Sequence, residues 1–405
     1  MDENKIRSRL ELRPVTIEHL DQFNELLRYV FQVTNQDLRK SGYNADELIR
    51  SKSPILRESE VIGWFDGDKL VSQLSIYPRQ VNIHGKIFEM AGLTGVGTYP
   101  EYSNMGLMND LIKTGLLKMR ESGQHISYLY PYSIPYYRKK GWEIISEHIT
   151  FKIKDTQLPK HVDVSGFVER LPVNDPDVYL IYDKFSRNTH GAMIRSPLAW
   201  EEYWRWENED ERTAAIFYNS SNEPTGLLFY WVADDIFNIK EIIYLNQEAR
   251  HGLWNFISAH FSMVNCIVGN VYKNDPIAFL LEDSRIQEKI EPYFMARIVD
   301  VQKFLEEYPF DPSSHSFHFI VSDPIAEWNN NTFGIEWDSN GRIHVSNNPV
   351  GKPVKTDIRT LTALLMSYRS PFYFFKIERL ETDPETLRLL DHIIPDPQPY
   401  FSDYF

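Results

Sequence analysis

The chain has 405 residues, 42% hydrophobic and 25% charged, and its 57 acidic against 43 basic residues leave a formal charge of −14. Aromatic residues at 14% argue against long disordered tails, and the acidic balance disfavours a protein built to grip nucleic-acid phosphates and serves either solubility or the attraction of cationic ligands. A single cysteine, Cys266, excludes an intrachain disulfide and a cysteine-based metal site, and the length predicts two or three domains.

In chain order, Arg13-Pro14-Val15 reads as extended. Thr16 then caps a helix carrying Ile17, Leu20, Phe23, Leu26, Leu27, Val30 and Phe31 on one face. Four antiparallel strands are predicted next, at 61–65, 70–76, 81–83 and 87–98, with hairpin turns at Asp66-Gly67-Asp68 and His84-Gly85-Lys86. A turn containing Pro100 leads to a helix over 106–122 whose apolar face is Leu107, Met108, Leu111, Ile112, Leu116 and Leu117. A strand at 126–130 follows, then a short helix over 135–140 ended by Gly141, then a strand at 144–153 that closes the unit. The order describes one α/β domain with a mixed sheet.

Residues 155–177 read as a linker. A second block repeats the grammar: helices at 177–185 and 197–207, strands at 226–233 and 239–245, a helix at 251–264 and a strand at 266–271. Trp200, Tyr203 and Trp204 lie at helical spacing and read as core packing. From about residue 291 a third block places strands at 296–301, 316–321, 334–337 and 343–345 and helices at 357–368 and 383–393. The chain ends in the aromatic tail Pro399–Phe405. The expected units are therefore 1–155, 156–290 and 291–405. His315 and His318 sit in a strand pattern that cannot put both imidazoles on one face, so no metal is expected. No apolar leader opens the sequence, and runs such as Leu227–Ala233 are far shorter than the roughly 18 residues of a membrane span, so a cytoplasmic protein is expected.

The most informative stretch is Leu93–Asn109. A strand ends, a loop turns, and a helix starts at Gly106, where free N–H groups and the helix dipole make an anion site and a glycine lets a pyrophosphate approach. Gly95 and Gly97 within the strand predict a bulge that leaves backbone groups free.

This stretch resembles the acetyl-CoA motif of GNAT acetyltransferases, and Tyr136–Trp142 resembles their Tyr-x-x-x-Gly-aromatic signature. The run Leu129–Tyr137, together with the segments at 191–197 and 296–301 and the terminal Phe405, is similar to the Eis-like branch. That resemblance implies two tandem GNAT-like domains with mixed, mostly antiparallel sheets, only the first with a cofactor motif. A sterol-carrier-like α+β domain would follow, its C-terminus inserted into the active site.

It further implies that Val96, Gly97 and Thr98 pair with the pantetheine arm, and that Asn104, Met105, Gly106, Leu107, Met108 and Asn109 wrap the pyrophosphate. Tyr132 and Ser133 would lie beside the thioester, Tyr137 would be the general acid, and the α-carboxylate of Phe405 the general base. One departure stands out: the family's arginines before the glycine are replaced by Ser103, Asn104 and Met105. Losing such charge-assisted contacts should weaken binding by roughly 1–3 kcal/mol each.

The expected activity is acetyl transfer from acetyl-CoA to a primary amine of a cationic acceptor such as an aminoglycoside, a polyamine or a lysine side chain. Phe31 and Asp37 are candidates for the acceptor pocket. No nucleic-acid or membrane partner is expected, and the resemblance implies a homo-oligomer, a hexamer. The alternative is a catalytically degenerate acetyltransferase fold that binds a small molecule or lipid.

Overall fold

The computed structural model describes residues 6–40, 45–204, 213–272 and 277–405. The first strand is β1 (Leu10–Pro14), and Thr16 caps a short 3-10 turn, Ile17–His19, by donating its N–H to His19 Nδ1 at 3.0 Å. Helix α1 (Leu20–Val30) buries Phe23 and Leu26, and two further helices, α2 (Asn35–Lys40) and α3 (Ala45–Glu58), precede β2 (Glu60–Asp66). Then come β3 (Lys69–Ile83), β4 (Lys86–Thr98), α4 (Leu107–Glu121), β5 (Ile126–Leu129), α5 (Ile134–Arg138) and β6 (Glu143–Ile144).

The segments expected as separate strands at 70–76 and 81–83 form one continuous β3. Pro78 is tolerated there because β2 stops pairing at Ile76 and the next neighbour begins only at Gln80, so no partner needs its missing N–H on that edge. Helix α4 packs on β3 through Leu111, Ile112, Leu116 and Met119, all buried with Leu74 and Ile76. Truncating Leu111 to alanine should cost about 2–5 kcal/mol.

The strand expected to close the first sheet does not do so. β7 (Glu147–Lys154) crosses into a second sheet, where it lies between strands β13 and β14. The elements between are β8 (Phe167–Leu171), α6 (Pro176–Asn188), β9 (Met193–Ile194), α7 (Pro197–Tyr203), β10 (Thr213–Tyr218), β11 (Pro224–Ala233), β12 (Ile236–Tyr244) and α8 (Gln247–Ser258). They lead into β13 (Cys266–Val271) and β14 (Gln287–Pro292), giving the sheet order β14-β7-β13-β12-β11-β10-β8. In return β15 (Met295–Ile298) enters the first sheet between β5 and β6, giving the path β1-β2-β3-β4-β5-β15-β6, with β9 against β3. The two units thus exchange strands.

The remaining elements are α9 (Val301–Glu307), β16 (Phe317–Ser322), β17 (Thr332–Trp337), β18 (Ile343–Ser346), β19 (Lys352–Asp357), α10 (Ile358–Leu365), α11 (Pro371–Lys376), β20 (Leu380–Glu381) and α12 (Pro384–Ile393). They build a third sheet in the order β18-β17-β16-β19-β20. One continuous apolar core joins it to the first sheet, with Met90, Tyr128 and Ile298 packed together with Phe319, Ile358 and Leu361.

Candidate active site

The site is built where β4 and β5 part. They pair in parallel at Met90–Ile126, Ala91–Ser127 and Gly92–Tyr128, and then separate, so the β5-facing edge of Leu93–Thr98 carries no strand partner among the described residues. A bulge opens β4 at the same place: the β3–β4 register shifts between Gln73 and Ser75, and Gly95 has φ +61°. Val96, Gly97 and Thr98 line this open stretch. Gly97 cannot carry a side chain, because a Cβ there would lie 2.8 Å from Val30 Cγ2 at the end of α1. Ser75 Oγ, beside Gly95, and Ser127 Oγ, one pair below the parting point, are buried without a partner among the described residues. Orphaned polar atoms around an unpaired strand edge fit a site completed by a polar, extended ligand.

Beyond β4 the loop ends at Gly106, which caps α4 with φ +74°, after Asn104 at φ +63°. Carbonyl oxygens of Pro100 and Gly106 close the turn, while the N–H groups of Gly106, Leu107 and Met108 find no protein acceptor among the described residues. That is the arrangement of an anion cradle. Tyr102 pins the loop by donating to Asp66 Oδ2 at 2.8 Å, and Trp64 Nε1 donates to the Leu107 carbonyl at 3.1 Å.

Two cations from distant parts of the chain reach this loop. Arg7 hydrogen-bonds the Met105 carbonyl and pairs with Asp110 in the first turn of α4; its side chain is 38% exposed. Lys140 donates to Asn109 on the same turn and lies 5.6 Å from the Tyr136 ring. Burial, with Lys113 and Lys139 close by, lowers the Lys140 ammonium below the ordinary lysine range. A phosphate would relieve that crowding of like charge.

Tyr137 on α5 is buried at 7% exposure, its ring edge-on to Tyr136 at 5.2 Å and to Trp142 at 6.2 Å. Burial, with Tyr136 beside it, pushes its hydroxyl well above the ordinary tyrosine range, so it keeps its proton at neutral pH. Gly141 (φ +92°) is demanded by a close approach, since a Cβ would sit 1.9 Å from Nη1 of the buried Arg297, which bonds the Lys140 carbonyl and Asp323. Ser133 caps α5 with its backbone, and Tyr132 is 86% exposed.

The ring of Phe405 packs on Gly92, the last residue of the parallel pairing, where a glycine Cβ would lie 2.9 Å from Phe405 Cε2. Phe294 at 5.2 Å, Phe401 at 6.3 Å and Tyr77 at 6.4 Å lie around it. The tail is fixed by more than aromatics. Asp403 accepts from Arg195 Nε at 2.7 Å and from the Tyr182 hydroxyl at 3.2 Å, while Tyr293 donates to its carbonyl at 2.9 Å. Glu241 accepts from Tyr400 and Ser402.

Trp200 and Tyr203, read from sequence as core, also flank the Arg195 guanidinium, at 4.6 and 3.7 Å. Arg195, Glu241, Arg7 and Lys140 were not legible as site residues, because their partners lie far away in sequence. Phe31, 48% exposed, follows the Val30 that covers Gly97, whereas the Asp37 carboxylate accepts from the Thr34 N–H at 2.9 Å and caps its own helix. Among the described residues no group of three or more His, Cys, Asp or Glu could hold a metal ion, and no helix is long and apolar enough to cross a membrane.

A family model for an acetyltransferase (GNAT) domain matches residues 11–145, a second model of that description matches 191–298, and a sterol carrier protein domain model matches 301–402. The chain is similar to a conserved protein of unknown function from Enterococcus faecalis V583, described as a probable N-acyltransferase. They are 27% identical with a TM-score of 0.88 over 98% of this chain and 99% of the other. It shares the fold of a GCN5-related N-acetyltransferase from Anabaena variabilis ATCC 29413, at 23% identity, TM-score 0.84 and coverages of 98% and 100%. It also shares that of Eis1 from Mycobacterium abscessus, at 16% identity, TM-score 0.80 and coverages of 98% and 100%. No curated protein sequence matches the chain. Two GNAT acetyltransferase domains followed by a sterol carrier protein domain place this chain among the GNAT acetyltransferases, in a fold it shares with Eis1.

Proposed function

We propose that the chain is an acetyl-CoA-dependent N-acetyltransferase acting on a primary amine of a cationic acceptor, an aminoglycoside, a polyamine or a lysine side chain. The observation that carries this reading is the parting of β4 and β5 at Gly92–Tyr128, with an anion cradle at Gly106 on one side and the Phe405 ring on Gly92. In this reading the open edge of Val96–Thr98 takes the amides of a pantetheine arm, and the N–H groups at Gly106–Met108, with Arg7 and Lys140, take the phosphates. Tyr132 and Ser133 border the thioester.

Acetyl-CoA supplies an acetyl group on a good leaving group. The chain supplies the proton traffic. Tyr137, held neutral by burial, gives its proton to the departing thiolate, and the Phe405 carboxylate accepts the proton released by the attacking amine. Residues 1–155 carry the cofactor site, 156–290 lack a cofactor motif, and 291–405 deliver the terminus. The net charge of −14 supports a cationic acceptor, and a homo-oligomer belongs to the reading by resemblance.

Deletion of Phe405 tests it: turnover should fall by about 10²-fold or more while acetyl-CoA binding is kept. Unchanged turnover removes the carboxylate from the chemistry.

A further inference from the structure

The second GNAT unit has a parting point of its own. β12 and β13 pair in parallel at Ile236–Cys266 through Ile239–Gly269 and then separate, and β12 carries a register shift against β11 at this level, between Phe229 and Tyr230. The first unit has the same design, with its last parallel pair at Gly92–Tyr128 and a bulge just beyond. What meets the second parting point is the chain's own C-terminal tail. Glu241, two residues past Ile239, accepts from Tyr400 and Ser402 of the tail and from Tyr203 at 2.7 Å.

Arg195 closes the arrangement. It pairs with Glu241 at 3.2 Å and Asp403 at 2.7 Å, and its Nη2 donates to Ser402 Oγ at 3.1 Å. The side chains of Arg195, Glu241 and Asp403 are 0%, 1% and 2% exposed, so solvent does not loosen the network. The tail therefore runs from one parting point, at Glu241, to the other, where the Phe405 ring covers Gly92.

We propose that the second GNAT unit is a receptor for the C-terminal tail, with Arg195 and Glu241 acting through Asp403, Ser402 and Tyr400 as positioning residues for the Phe405 carboxylate. This rests on the reading of Phe405 as the base. Asp403 stands two residues before the terminus, so a tail released from its anchor can carry the carboxylate over about 7 Å, whereas catalysis tolerates misplacement of only about 1 Å. Tail side chains thus bond to β12 at the level where β4 of the first unit opens, which gives a physical role to a unit without a cofactor motif.

The test compares the full chain with Asp403→Asn, Tyr293→Phe and deletion of Phe405, alone and combined, by thiol release and by acetyl-CoA titration. Tyr293→Phe removes one hydrogen bond to the tail backbone, so it reports positioning even if Asp403→Asn folds poorly. Each substitution should lower kcat about tenfold or more with the acetyl-CoA Kd within about twofold, and should lower it no further once Phe405 is gone. Carboxypeptidase should also release Phe405 faster from both variants. Normal turnover and normal carboxypeptidase resistance in the folded variants, beside a slow deletion chain, overturn the positioning role alone. A deletion chain as fast as the parent overturns the base and the positioning role together.

Discussion

Replacing Arg7 by alanine removes a guanidinium that touches the cradle loop at Met105 and the first turn of α4 at Asp110. A charge-assisted hydrogen bond to a buried phosphate would be worth about 1.5–3 kcal/mol. Arg7 is 38% exposed and already shares its charge with Asp110, so solvent screening and that competition reduce the figure to about 1 kcal/mol, or fivefold in Kd. Lys140→Ala should cost a similar amount, because its ammonium is held at Asn109 and crowded by Lys113 and Lys139. The two side chains contact neighbouring residues of the same turn, Asp110 and Asn109, and the double variant should bind acetyl-CoA about 25-fold more weakly if the effects add.

The assay is calorimetric titration with acetyl-CoA and, in parallel, with S-acetyl-pantetheine, which lacks the phosphates. The losses should appear only with acetyl-CoA and should shrink as salt rises. Equal losses for both ligands, or none for either, would refute the assignment of these two cations to the phosphates. Thermal unfolding of Arg7→Ala should change little, since exposed ion pairs contribute about 0–1 kcal/mol.

Three further outcomes follow from the same geometry. Tyr137→Phe should lower kcat by about 10²-fold with little change in the acetyl-CoA Kd, and a rate near that of the parent would show that the thiolate finds its proton elsewhere. Gly141→Ala should destabilise the fold by more than about 2 kcal/mol in denaturant unfolding. Its Cβ would meet the guanidinium of Arg297, which is fully buried against Asp323, and its backbone stands at φ +92°. His84 is half-buried and stacked on His190 at 3.6 Å, with Ser367 Oγ 3.2 Å from its Nε2, and loss of solvent lowers its pKa to about 4. The folded state therefore binds this proton less readily than the unfolded chain. The contribution, about 3 kcal/mol, is complete above pH ~6.5 and is lost as pH falls toward ~4. His84→Asn should flatten unfolding free energy against pH over that window, and an unaltered slope would count against it.

Much of the first unit could be read along the chain. Helical spacing of Leu111, Ile112 and Leu116 marks α4, the bulge expected at Gly95 is present, and Gly141 stands at the positive φ expected of a residue that ends a helix. Sheet membership could not be read this way. β7 alternates and β15 is short, and nothing in a period of two states which sheet receives them. The cations of the cradle were hidden for a related reason: Arg7 is 98 residues from Met105, and Lys140 is 31 from Asn109. Arg195 and Asp403, 208 residues apart, are likewise joined only by the folded chain.

The central claim is tested most directly by measuring thiol release from acetyl-CoA by the full chain across a panel of aminoglycosides, polyamines and lysine peptides, with the acetylated amine identified by mass. The account predicts release of one thiol per acetylated primary amine for at least one cationic acceptor. Tight acetyl-CoA binding with no acetylated amine across the panel would contradict it.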